Sequence, residues 1–167
     1  MEVVIDTNVW ITATGKDLRV YSKKNLESLH LLLDLLDNIN IQIALDVEGL
    51  IIEEYHPYIF GNPLCLGLFN SITKKKNKFT YYSNCLDYKV IRHLDKLHFD
   101  LSDRKFIGVA QKTTLPHVII NETDSDWTPE VCCYLRNKHN IDVTNCIECK
   151  ERYLELGQSA AETDDPV

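Results

Sequence analysis

Three short apolar runs constrain this chain most. Glu2–Ile5 (EVVI), Ile41–Leu45 (IQIAL) and His117–Ile120 (HVII) are rich in β-branched residues and lack the polar alternation of a sheet with one wet face. Such strands are buried on both sides, which implies a mostly parallel sheet covered by helices. The intervening segments carry helical patterns. Leu26, Leu29, Leu32, Leu33 and Leu36 recur at helical spacing after Ser22, a candidate cap, in a helix to about Asn38. A short helix around Val9–Ala13 precedes it. Asp46 reads as the N-cap of VEGLIIEEYH, which Pro57 ends or kinks. Pro63 opens a helix reaching the basic run Lys74–Lys78, and a further helix covers Leu86–Leu97. Ser102 is expected to cap DRKFIGVAQK. Thr128-Pro129 starts a helix to about His139. A short strand follows at Ile141–Val143, then a last helix from Asn145 to about Leu156. Phe79–Tyr82 is a candidate fifth strand.

With 167 residues and 44% hydrophobic content, the chain is expected to form one domain over residues 1–156. The tail 157–167 (GQSAAETDDPV) is small, polar and acidic, the composition of a disordered segment. No apolar run reaches bilayer-spanning length, so no membrane partner is expected. The start, MEVVIDTNVW, lacks the basic flank and apolar length of a secretory leader, and a cytoplasmic location is expected. Several of its six cysteines, such as Cys65 and Cys85, sit in apolar context and are then expected to act as small buried hydrophobes. Cys132–Cys133 with Cys146-x-x-Cys149 makes a poor zinc motif, because adjacent cysteines do not form a spaced knuckle. Cys146 and Cys149 are instead expected to pack inward from one helix face.

The net charge of -7 runs against a general nucleic-acid binder, which carries a basic excess. Acid gathered in one pocket to hold cations would contribute to that total. Asp6 ends the first strand, and Asp124 and Asp126 lie in the loop past His117–Ile120. Ligands of open parallel sheets bind beyond the carboxyl ends of the strands, where the strand order reverses. Two helices add acids to apolar faces. Glu54 falls on the stripe of Val47, Leu50, Ile51 and Tyr58, and Asp103 on that of Phe106, Ile107 and Ala110. Each has an ordinary alternative. Asp6 can cap a helix, Asp103 can suit a helix dipole, Asp124 and Asp126 can be turn residues, and Glu54 can pair with a lysine. Together they would repel one another unless Mg²⁺ or Mn²⁺ binds, since hard oxygen donors without histidine suit those ions.

The motifs carrying these acids resemble, in order, those of PIN-domain (PilT N-terminus-like) ribonucleases. VVIDTNVW is similar to the family's opening, with Asp6 as its first acid and Asn8 as the supporting polar residue. IIEEY resembles the second motif, with Glu54 as the acid and Glu53 as the alternative. DLSDRKFIGVAQ resembles the third through Asp103, and VIINETDSDW the fourth through Asp124 and Asp126, with Asn121 nearby. The resemblance spans residues 1 to about 143. It implies a three-layer α/β/α fold and metal-dependent endoribonuclease activity. Asp6, Glu54, Asp103 and Asp124 would bind the ions, and Asp126 would assist. It also implies a toxin role with a partner antitoxin, and a homodimer.

Asn8, Asn121 and Arg104 are candidate substrate-side residues, orienting an acid or meeting a phosphate. Lys105 is placed to balance the acids, Lys74–Lys78 to touch RNA backbone or serve as a solvated helix end, and Tyr81 and Tyr82 to stack on bases or sit in the core. Two other readings compete. A receiver-like regulatory domain would need paired acids at the first strand and a distal lysine. A catalytically inactive PIN-like scaffold would dock protein partners through the same fold.

Overall fold

The computed structural model describes residues 1–15 and 23–154. Its strands are β1 (Glu2–Ile5), β2 (Gln42–Asp46), β3 (Phe79–Tyr82), β4 (His117–Ile120) and β5 (Ile141–Thr144). Its helices are α1 (Thr7–Thr14), α2 (Lys23–Asp37), α3 (Leu50–Ile59), α4 (Pro63–Lys74), α5 (Tyr88–Lys96), α6 (Arg104–Ala110), α7 (Pro129–His139) and α8 (Cys146–Cys149). A π-helical turn, Lys150–Leu154, follows α8. The expected cap Ser22 and the tail 157–167 lie outside the described residues.

All five strands are parallel, in the order β3-β2-β1-β4-β5. Val3, Val4, Ile5, Ala44, Val118, Ile119 and Ile120 are wholly buried, as strands covered on both faces require. Helices α1 to α4 pack against one another, α6 lies on β1, β2 and β4, and α7 packs on β5, giving a three-layer α/β/α fold. The candidate strand Phe79–Tyr82 is the β3 edge. Because β1 connects onward to β2 on one side and pairs with β4 on the other, the order reverses between β1 and β4. The crevice that favours ligands therefore opens at the carboxyl ends of those two strands.

Local chemistry moves several boundaries from the sequence expectation. Asp46 does cap α3, but from the end of β2: its carboxylate accepts from Leu50 N at 2.8 Å and Ile51 N at 2.9 Å. Gly49, with φ +84°, makes the turn between them. Helix α3 thus begins at Leu50. Its buried stripe is Ile51, Tyr55 and Ile59, while Val47 and Leu50 are exposed. Pro57 lies inside α3 without ending it; the carbonyl it leaves unpaired belongs to exposed Glu53 and can face water. Asp103, rather than Ser102, occupies the N-cap position of α6. Cys146 and Cys149 are both buried, and the helix they share is one turn long before it widens. Cys65 is buried as its apolar context predicts, whereas Cys85 is exposed. Among the described residues, no helix is long and apolar enough to cross a membrane.

Candidate metal centre

Asp6 leaves β1 at the seam where the strand order reverses. Its amide donates to the last carbonyl of β4, Ile120 O, at 2.8 Å. Its side chain then caps α1 by accepting from Asn8 N at 2.8 Å. On the neighbouring helix, the buried Tyr55 hydroxyl donates to Ile5 O and ties α3 to the same strand end.

Across the seam, the loop after β4 is folded by its own side chains. Asn121 Oδ1 accepts from Asp124 N at 3.4 Å, and Asp124 Oδ1 accepts from Asp126 N at 2.9 Å. That turn aims Asp124 at Asp6. Asn8 joins them: its Nδ2 donates to Asp6 Oδ1 and to Asp124 Oδ2, each at 3.0 Å. Asp103, at the start of α6, completes the group. One carboxylate oxygen from each of Asp6, Asp103 and Asp124 lies within 4.8 Å of the others. No second such group of acids, histidines or cysteines occurs among the described residues, so the cysteine pairs do not assemble as a zinc site there.

Asp6 and Asp103 are buried and Asp124 is half-buried. Burial, and then the charge of Asp124, raises the Asp6 pKa to about 6 against the lowering donors of Asn8 and Trp127. Burial, with repulsion from Asp6, Asp124 and Glu54, raises Asp103 to about 7 despite Lys105. Burial and the nearby Asp124 and Asp100 raise Asp126. The cluster therefore holds protons into the neutral range when no cation balances it.

The other expected site residues are placed differently. Glu54 is close enough to act on Asp103, but it stands outside the triad and is ion-paired to Lys105, which also donates to Ser102 O. The alternative acid, Glu53, is exposed. Asp126 sits beside Asp124, half-exposed, and contributes its backbone rather than a third-party carboxylate to the triad. Asn121 is spent on shaping its loop. Arg104 does not face the acids: its guanidinium binds Asp95 at 2.7 Å and Phe99 O at 3.1 Å. A groove of about 430 Å³ flanks the centre, lined by Leu50, Leu86 and Ile91 with Ser102, Arg104 and Lys105 from the Asp103 turn.

Trp127 is the site residue that sequence reasoning missed. Its indole Nε1 donates to Asp6 Oδ2 at 2.9 Å, and its ring meets Phe99 edge-on with centroids 5.0 Å apart. Its position one residue after Asp126 was the available hint, since a buried indole needs an acceptor. The basic run is displaced as well. Lys78 immediately precedes β3 and is buried against Asn38 O, level with Gln42 and Glu2 at the amino edge of the sheet. Asp6 lies four residues further along, roughly 13 Å at the ordinary strand rise.

Comparison with known proteins identifies no relative: no family model matches the chain, nor does any curated protein or any solved structure.

Proposed function

We propose that this chain is an Mg²⁺- or Mn²⁺-dependent endoribonuclease whose centre is Asp6, Asp103 and Asp124. The observation that carries the reading is the convergence of those three carboxylates, from three separated segments, on the crevice between β1 and β4. The donor set fits the ion. Three carboxylates supply hard oxygen ligands, and burial together with their mutual repulsion, which raises the pKa of Asp6 and Asp103, is what a divalent cation offsets. When bound, the ion supplies neutralising charge for a phosphodiester and a lowered pKa for adjacent water.

The chain's own groups do the positioning. Asn8 fixes the separation of Asp6 and Asp124, and Trp127 orients the second oxygen of Asp6. Lys105 neutralises Glu54, which would otherwise push Asp103 further toward its protonated form. Asp126 stands next to Asp124 and holds that residue's carboxylate through the backbone amide, which donates to Asp124 Oδ1. The four ordered motifs that resemble PIN domains support RNA as the substrate, a toxin role, an antitoxin partner and a homodimer as parts of the same reading.

The test is direct. Single-stranded RNA is incubated with the purified protein in Mn²⁺ and in EDTA, beside Asp6→Asn. Cleavage that needs Mn²⁺ and disappears in the variant supports the reading. Intact RNA under every condition overturns it and favours the inactive scaffold.

A further inference from the structure

Helix α5 separates its charges. Val90 and Leu94 anchor it in the core, while Lys89, Arg92, His93 and Lys96 fall on one stripe and alone line a surface hollow of about 240 Å³. Its acids are engaged elsewhere. Asp87 caps the helix through Lys89 N at 2.7 Å, and Asp95 binds Arg104. Lys89, Arg92 and Lys96 are exposed and form no ion pair among the described residues, in a chain whose net charge is -7. Beside them Tyr88 is 70% exposed, with the Arg92 guanidinium 5.9 Å from its ring centroid.

The stripe also has the right address. The Asp95–Arg104 pair joins the carboxyl end of α5 to the residue after Asp103. Phe99, just past α5, touches Trp127, which holds Asp6. The run Lys74–Lys78 instead leads into the opposite edge of the sheet.

We infer that this face of α5 is a contact surface for single-stranded RNA, with Lys89, Arg92, His93 and Lys96 meeting backbone phosphates and Tyr88 offering a stacking platform. The inference rests on the nuclease reading for the identity of the polyanion. Cations interleaved with an exposed aromatic favour a nucleic-acid strand over an acidic protein segment, which has no bases to stack.

Binding of a labelled single-stranded RNA is measured by fluorescence anisotropy in EDTA across a salt series. Wild type is compared with Lys89→Gln/Arg92→Gln/Lys96→Gln and with Lys74→Gln/Lys76→Gln. The α5 variant is expected to bind about tenfold or more weakly at low salt, with a salt slope smaller by about 2, the value for three lost single-strand phosphate contacts. The control variant is expected to match wild type. In Mn²⁺, the α5 variant should show a raised KM on long RNA and an unchanged rate on bis(p-nitrophenyl) phosphate.

Equal slopes in wild type and the α5 variant overturn the inference, as does an equal loss in the control. Displacement of RNA by poly-glutamate at equal charge concentration also overturns it and assigns the surface to acidic protein. If wild type cleaves neither substrate, the nuclease reading fails while the EDTA series still decides the α5 surface. If wild type cleaves and the slopes are equal, only the α5 surface fails.

Discussion

Both oxygens of Asp6 are already engaged, Oδ1 by Asn8 and Oδ2 by Trp127. Trp127→Phe keeps most of the ring and deletes the donor. Its expected cost is about 1–3 kcal/mol of stability, from the lost hydrogen bond and the space left behind. Because that bond favours the ionised carboxylate, its loss moves the Asp6 pKa further up. Mn²⁺ affinity by calorimetry should then fall several-fold near pH 6.5 and recover toward wild type near pH 8. Equal loss at both values would mean that Trp127 only supports the fold. Asp103→Asn behaves oppositely toward stability, because Asp103 accepts no capping bond and faces three other acids. In EDTA at pH 8 it should raise Tm by roughly 2–4 °C, equivalent to about 1 kcal/mol, while abolishing the rise that Mn²⁺ gives wild type. At this scale the sequence was readable where one residue's place follows from its own element. Asp6 at a strand end and Asp124 past another are such cases. That Glu54 pairs with a lysine is one of the sequence readings, and the structure makes that lysine Lys105; the Arg104–Asp95 pair was not readable, because it depends on how α5 and α6 lie together.

Among the elements, α6 is packed closely by a neighbouring loop. A Cβ at Gly108 would stand 1.9 Å from the Asn84 carbonyl oxygen and 2.5 Å from its carbon, so the loop after β3 presses directly on the helix. Asn84 also donates to Asp46 Oδ2, which links that loop to the cap of α3. Gly108→Ala should therefore cost at least about 2 kcal/mol by denaturant unfolding. It should also weaken Mn²⁺ binding, since Asp103 starts the same helix. A mild loss of stability with unchanged binding would show that the loop yields freely. The β-branched runs of β1, β2 and β4 announced themselves because burial on both faces leaves a continuous apolar string. Strand β3 was fainter: it is an edge strand, FTYY, only partly buried. The start of α3 was misplaced because Asp46 caps from four residues away, across a glycine turn that a contiguous pattern does not reveal. A contiguous pattern therefore carries the inward stripe onto Val47 and Leu50, which are exposed, and makes Glu54 look more enclosed than it is.

For the whole molecule, the acid cluster sets a characteristic pH response. Asp6 and Asp103 have folded pKa values of about 6 and about 7, above the ordinary 3.8. Between those limits the folded chain binds more protons than the unfolded chain. Their contribution to stability is complete below about pH 4 and is lost as pH rises through 6 and 7. Lys78, lowered to about 8 by burial and by Lys75, acts with the opposite sign and only above that pH. Metal-free protein should thus lose a few kcal/mol between pH 5 and 8, read as falling Tm in EDTA. Mn²⁺ should restore the loss at pH 8 far more than at pH 5. A flat profile in EDTA would mean that the cluster is balanced by other charges. The most direct measurement is anomalous diffraction at the manganese edge from crystals soaked in Mn²⁺ near pH 8. The account predicts a peak roughly 2.0–2.3 Å from one oxygen each of Asp6, Asp103 and Asp124. No peak between those residues at saturating Mn²⁺, or one only at another place, would contradict it.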